Sequence, residues 1–197
     1  MFELREHKKR LRDEYLTRRK ALEPRIKRVM DEKICSILTS LAAYRYADTL
    51  LVYYPMPDEI DIKPFIEHAW ADGKSIAFPR CRRESRSMTF HIVSSFDELS
   101  EDGMFGIPEP MSDLPVYDPE NNRLQQSACI IPAVIYDRSG YRIGYGKGYY
   151  DRYLPSFSGS RIGVCYSGFI TDKVPRGKYD LAVNVLVTEK GVRAIHI

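Results

Sequence analysis

The spacing of apolar positions changes along this chain. Residues 3–20 contain neither Gly nor Pro, and Leu4, Leu11 and Tyr15 fall near one stripe among Arg, Lys and Glu; this predicts a helix. Pro24 suits the first turn of a second helix running to about Ala43, with Ile26, Val29, Met30, Ile34, Ile37, Leu38 and Leu41 recurring at helical spacing toward a core. The period then shortens. Thr49–Tyr54 is a continuous apolar run, which reads as a buried strand. Residues 62–72 form an amphipathic helix closed by Gly73, and Ser75–Phe78 is a strand stopped by Pro79. Further strands are predicted at Met88–Val93, Ser127–Ile131, Arg161–Tyr166 and Asn184–Thr188. Helices alternating with short apolar strands predict an α/β fold: three layers, a mostly parallel central sheet flanked by helices, and an N-terminal helical pair. Residues 101–123, rich in Pro, Asp, Gly and Asn, read as a long ordered loop inside one domain spanning 1–197.

Length and composition fit that single domain: 197 residues, 44% hydrophobic and 29% charged, enough to bury a core without a staple. The net charge of +3 is unevenly spread. Residues 1–33 hold twelve Lys/Arg against seven Asp/Glu, a surplus of five, so the remainder is net −2. Acidic residues at 3, 6, 13 and 14 dilute the basic patch, and no nucleic-acid partner is expected. Cys35, Cys81, Cys129 and Cys165 form no C-x-x-C pair, which argues against a zinc site or a disulfide framework and for reduced thiols. There is no apolar leader segment and no run of about 18 apolar residues, so the expected setting is cytoplasmic, with no membrane partner.

The densest chemistry lies at 140–154, Gly-Tyr-Arg-Ile-Gly-Tyr-Gly-Lys-Gly-Tyr-Tyr-Asp-Arg-Tyr-Leu. Gly144, Gly146 and Gly148 leave backbone N–H groups bare, Arg142 and Lys147 add positive charge, and Asp151 adds a carboxylate able to hold Mg²⁺ at the start of a short helix, about 147–154, ended by Pro155. Together they suggest a nucleotide polyphosphate site. It is not a Walker A loop, because Gly148 rather than Ser or Thr follows Lys147, and not a dinucleotide fingerprint, because Tyr149 stands where the third glycine belongs. A plain tight turn between strand and helix is the competing reading. The segment follows the strand at 127–131 and a turn at Asp137–Gly140, so it lies at a carboxyl strand end, where open α/β sheets bind ligands.

The run Ile131–Asp151 resembles the signature of the 5-formyltetrahydrofolate cyclo-ligase family. Shorter stretches extend the resemblance over nearly the whole chain: Lys8-Lys9-Arg10-Leu11-Arg12, Met56-Pro57-Asp58-Glu59-Ile60, Pro79-Arg80, Phe105-Gly106-Ile107-Pro108-Glu109-Pro110, Tyr179-Asp180 and Thr188-Glu189. The resemblance implies ATP-dependent closure of 5-formyltetrahydrofolate to 5,10-methenyltetrahydrofolate through a phosphorylated formyl oxygen, an iminophosphate, with ADP and phosphate released.

It also implies roles. Lys8, Lys9, Arg10, Leu11 and Arg12 would bind ATP from the first helix, and Arg142, Ile143, Gly144, Tyr145, Gly146, Lys147, Gly148, Tyr149 and Tyr150 from the loop. Arg142 and Lys147 would be the catalytic cations. Asp151, with Asp180 second, would hold Mg²⁺. Tyr54, Glu59, Phe105, Tyr145, Gly146, Lys147, Gly148 and Tyr149 would bind the folate, with Glu59 accepting from pterin N–H donors. A polyglutamate tail could use Arg80, Arg82, Arg83 or Arg86, and a monomer or weak dimer is expected. Without the resemblance, Lys8 and Arg12 read as a solvated helical face, Glu59 as a surface loop carboxylate, Phe105 as a core plug and Asp151 as an N-cap. Two positions depart from the family pattern: Asn184 stands where a second Asp is usual, and position 147 varies between Gly and Lys. A non-catalytic nucleotide- or RNA-binding relative of the same fold is the alternative, and a sugar-phosphate isomerase working without ATP a third.

Overall fold

A computed structural model of the chain describes residues 2–101, 103, 106–118 and 126–196. The chain opens with α1 (Phe2–Lys20), α2 (Pro24–Ser40) and the short α3 (Ala42–Tyr46). Strand β1 (Thr49–Leu51), helix α4 (Lys63–Ala71) and the hairpin β2 (Ser75–Arg82) and β3 (Ser87–Val93) follow, then a small ribbon of β4 (Leu99–Ser100) and β5 (Glu109–Pro110). The second half contains β6 (Ser127–Pro132), β7 (Ile135–Asp137), β8 (Arg142–Ile143), α5 (Tyr149–Tyr153), β9 (Ser160–Val164), β10 (Ile170–Thr171), β11 (Val185–Thr188) and β12 (Gly191–Ala194).

Seven strands form one sheet in the order β12-β11-β9-β6-β1-β2-β3. The middle five are parallel, and an antiparallel strand closes each edge. Leu50 pairs with both Ile76 and Ala128, so β1 is central. From β1 the chain runs through α4 to β2 on one side, then returns to place β6 on the other side, with β9 and β11 continuing outward. The switch point is therefore the crevice beyond the carboxyl ends of β1 and β6, the place where such sheets bind ligands.

Leu50, Leu51, Val52, Ile76, Phe78, Ile130 and Ile131 are almost wholly buried, as expected of parallel strands covered on both faces. Ile34 and Leu38 of α2 and Phe65 and Ile66 of α4 complete the packing. The cysteines are free: Cys35, Cys129 and Cys165 are buried and Cys81 is half-buried. Burial pushes the Cys35 thiol up to about 11 and those of Cys81 and Cys165 up to about 12. No described helix is long and apolar enough to cross a membrane.

Several local expectations are corrected. Pro79 does not stop β2 but sits opposite Phe90 within it. β1 pairs only as far as Ala77, so beyond that point β2 has one neighbour and can carry a residue without an N–H. Ile26 and Val29 do not reach the core. They stay 51% and 43% exposed along a groove with Met30 and Glu189, because the buried face of α2 begins only at Asp31. The second helix breaks at Leu41, which is extended, before α3 resumes it. The short helix of the glycine segment covers Tyr149–Tyr153, and Pro155 belongs to a following 3-10 turn. The strand pairs β7–β8 and β7–β10, each only two residues deep, form a second sheet that carries no hydrophobic period long enough to predict. Phe105 and part of the 101–123 loop lie outside the described residues.

Candidate functional site

Three segments meet at the switch point: the face of α1 carrying Lys8 and Arg12, the glycine segment 140–148, and the loop 176–183. Buried Asp137 organises the second and third. Its Oδ1 accepts from the N–H groups of Ser139 (2.9 Å) and Tyr141 (3.1 Å), and its Oδ2 from Val174 N–H (3.1 Å) and Arg176 Nη2 (2.9 Å). The turn that Asp137 makes sends the chain back as β8 and places Arg142 inside the site.

Arg142 is buried, and its partners fix its direction. Nη1 donates to Leu181 O (3.0 Å) and Nη2 to Asp151 Oδ1 (2.5 Å), with the ring of Tyr150 alongside at 5.9 Å. Lys8 of α1 forms an ion pair with Asp180, whose Oδ2 also accepts Gly177 N–H at 2.7 Å. Arg142 and Lys8 thus each sit beside a carboxylate suited to a divalent metal. Arg12 Nε donates to Gly144 O at 2.7 Å, docking α1 on the glycine loop.

Gly146 and Gly148 both take left-handed conformations (φ +88 and +70), which other residues adopt only at a cost. A Cβ on Gly146 would also come within 3.0 Å of the Arg12 guanidinium. Lys147 is exposed at the tip, and its carbonyl accepts from Arg152 Nη2 at 2.6 Å. Lys9 and Arg10 are exposed on the outer face of α1, whereas Lys8, Leu11 and Arg12 turn inward.

The other wall is drier. Glu59 is only 5% exposed; Met56 N–H donates to its Oε2 (3.0 Å), while its own N–H donates to Met56 O (2.9 Å). Burial pushes its carboxyl up to about 7, against the partial opposition of the Met56 N–H and the charge of Arg19. Tyr53, Tyr145 and Tyr150 surround it and feel its charge. Among the described residues the buried Tyr150 hydroxyl has no hydrogen-bond partner. Tyr54 follows β1, but its ring packs edge-on to Phe96 and under Lys63, with Phe96 in turn against Trp70.

Among the described residues no three His, Cys, Asp or Glu side chains cluster as a ready-made metal cage. Asp151 and Asp180 nevertheless fit Mg²⁺ by donor chemistry, since that ion is usually held by one or two carboxylates together with substrate phosphates. The acceptor role of Asp137 and the inward turn of Arg19 had no signal in the sequence beyond an Asx-turn pattern at 137–140 and the seven-residue spacing from Arg12 to Arg19.

Residues 4–189 match the family described as "5-formyltetrahydrofolate cyclo-ligase family". The chain is 26% identical over 179 residues to the 5-formyltetrahydrofolate cyclo-ligase of Escherichia coli K12, covering 89% of this chain and 96% of that one. The NMR structure of 5,10-methenyltetrahydrofolate synthetase from Aquifex aeolicus superposes with a TM-score of 0.82 at 34% identity, covering 96% of this chain and 93% of that one. The synthetase of Mycoplasma pneumoniae shares the fold, with a TM-score of 0.73 at 23% identity.

Proposed function

The chain belongs to the 5-formyltetrahydrofolate cyclo-ligase family and is an enzyme of that kind, and we propose that it closes 5-formyltetrahydrofolate to 5,10-methenyltetrahydrofolate at the expense of ATP, with Mg²⁺ bound alongside the nucleotide. The observation that carries this reading is the pairing, at one switch point, of a buried carboxylate among tyrosines with a cationic glycine loop. The first suits a flat, hydrogen-bond-donating pterin, and the second a triphosphate.

The chemistry makes sense of that pairing. A formamide oxygen leaves poorly. Transfer of the γ-phosphoryl group to it gives an iminophosphate. N10 of the folate then attacks the formyl carbon, the N10–C bond forms as the N10–H bond breaks, the C–O bond to phosphate breaks, the departing phosphate takes up the proton, and ADP and phosphate depart. The protein's contribution is alignment of the two substrates and neutralisation of charge on the moving phosphoryl group. Arg142 is the cation aimed by the fold, and Lys147, at the loop tip, reaches the nucleotide from outside. Lys8 and Arg12 hold the polyphosphate from α1. Asp151 and Asp180 would hold Mg²⁺, which supplies further charge neutralisation when bound. Glu59 orients the pterin by accepting from its N–H donors, with Tyr145, Tyr149 and Tyr150 beside it. The exposed arginines of the β2–β3 turn, Arg82, Arg83 and Arg86, suit an acidic glutamate tail. Arg80 is committed instead to the Pro110 carbonyl. Four free thiols fit work in a reducing cytoplasm.

The test is growth of the methenyl-folate absorbance with purified protein and 5-formyltetrahydrofolate. Growth that requires both ATP and Mg²⁺ supports the reading. A folded protein giving no growth, or growth independent of ATP, overturns it.

A further inference from the structure

We propose that Arg176 is a positioning residue: it latches the loop 174–183 onto the Asp137–Tyr141 turn, and so sets the loop atoms that hold Arg142 and Lys8. The inference rests on the nucleotide-site roles given above for those two cations and adds a residue to them.

Between β10 and β11 the chain runs through 174–183 without helix or strand. Both ends of this loop are buried, at Val174 and at Ala182 and Val183. Val174 N–H donates to Asp137 Oδ2 (3.1 Å), and Val183 N–H to Gly140 O (3.0 Å). The atoms that serve the site lie between these anchors. Leu181 O accepts from Arg142 Nη1 at 3.0 Å, and Asp180 pairs with Lys8. Tyr179, next to Asp180, is 73% exposed, so the core does not fix this stretch.

Arg176 supplies what packing does not. Its Nη2 donates to Asp137 Oδ2 at 2.9 Å, and its guanidinium carbon lies 3.8 Å from the centre of the Tyr141 ring. One side chain thus meets a carboxylate and an aromatic ring together, a combination that suits a guanidinium better than an ammonium. Both partners are themselves fixed. Asp137 is fully buried, Tyr141 N–H donates to its Oδ1 (3.1 Å), and Asp137 N–H donates to Tyr141 O (2.8 Å). Tyr141 is also the residue before Arg142. Two arginines therefore interlock: Arg176 reaches from the loop to the turn, and Arg142, one residue past the turn, reaches back to the loop. When Arg176 is replaced, Asp137 keeps three backbone donors, from Ser139, Tyr141 and Val174. The buried carboxylate stays satisfied, so losing the latch loosens the loop while the turn stays formed.

The experiment compares wild type with Arg176→Gln, Tyr141→Leu and the double variant. Amide exchange in the protein alone reads the latch. The N–H groups of Gly177, Asp180 and Val183 donate to Asp180 Oδ2, Gly177 O and Gly140 O. In R176Q these three are expected to exchange about tenfold faster, while the amides of β6 exchange as in wild type. Steady-state kinetics read the consequence. R176Q is expected to lower kcat by about tenfold, as small displacements of reacting groups do. Its KM for MgATP should rise severalfold, and its KM for 5-formyltetrahydrofolate should stay near wild type. Y141L should lose less, and the double variant no more than R176Q, because both substitutions break one contact. Unchanged exchange in the loop, wild-type kinetics, equal loss for both substrates, or additive losses in the double variant overturns the proposal. An R176Q protein that does not fold shows that the arginine serves the core, which also overturns it. Faster exchange in R176Q, with a wild type that shows no ATP-dependent turnover, instead refutes the proposed function and leaves the latch standing.

Discussion

The two walls of the site solve opposite problems. On the wall proposed for the nucleotide, charge is plentiful: Arg142 pairs with Asp151 and Lys8 with Asp180, while Arg12 donates to Gly144 O. Gly146 and Gly148 leave bare backbone there in left-handed conformations. On the wall proposed for the folate, charge is scarce and dry. One carboxylate, Glu59, is kept from water among tyrosine rings, and its ionisation depends on a few fixed neighbours. A ligand with many negative charges can displace existing ion pairs at little net cost in solvation. A neutral heterocycle offers only directional hydrogen bonds, which discriminate best where water cannot compete. The walls should therefore respond differently to substitution.

The sharpest break comes at Arg142, the buried cation held by Leu181 O and Asp151 beside the Tyr150 ring. Arg142→Ala should lower kcat by about 10²- to 10³-fold, the usual scale for removing a preorganised donor to developing charge, with much less change in thermal stability. A loss confined to KM would show that Arg142 only binds. Next is Glu59→Ala, expected to raise the folate KM by about 10- to 100-fold, the worth of a charged hydrogen bond, while the MgATP KM stays near wild type. Equal loss for both ligands would merge the two walls. Gly146→Ala strains a left-handed residue and crowds the Arg12 guanidinium. It should cost about tenfold in MgATP KM and leave folate affinity intact.

A pH titration separates the walls with smaller effects. Folded Glu59 has its carboxyl raised to about 7 from an ordinary 4.5, so between those values the folded state holds a proton that the unfolded state has lost. Its burial therefore lowers stability as pH rises through that window, and folate affinity improves over the same window. Glu59→Gln should have a higher urea midpoint than wild type at pH 8 and lose that advantage by about pH 4. Identical midpoints at pH 8 would mean the carboxylate is better solvated than its burial implies. The smallest effect belongs to Lys8→Ala, expected to change MgATP affinity only severalfold, since the Lys8–Asp180 pair is partly open to solvent.

The folate wall was also the harder to read from sequence. The glycine spacing, the cations beside it and the long apolar strands are local patterns, and the strands lie close to where hydrophobic period predicts them. Glu59 announces itself only as a carboxylate in a Pro-rich loop; its burial comes from Tyr53, Tyr145 and Tyr150, which arrive from three different segments. Arg19 is one of three successive basic residues, and nothing local says which of them turns inward. The same limit explains the sheet edges. β3 and β12 run antiparallel because short turns connect them to β2 and β11, and turn length is a weaker signal than apolar period. Pro79 misled for a related reason: a proline stops a strand where a neighbouring strand needs its N–H, and past Ala77 the β1 neighbour is missing.

The four thiols give the molecule a built-in record of its own opening. They ride on separate elements: Cys35 on α2, Cys81 on β2, Cys129 on β6 and Cys165 just beyond β9. With the Cys81 and Cys165 thiols held up to about 12, their reactive thiolate fraction at pH 8 is about one part in ten thousand. An alkylating reagent applied to the native protein thus modifies a given cysteine mainly when its surroundings come apart. Mass spectrometry of each site over time would convert these four segments into four clocks, timing how far substrates slow the breathing of each part.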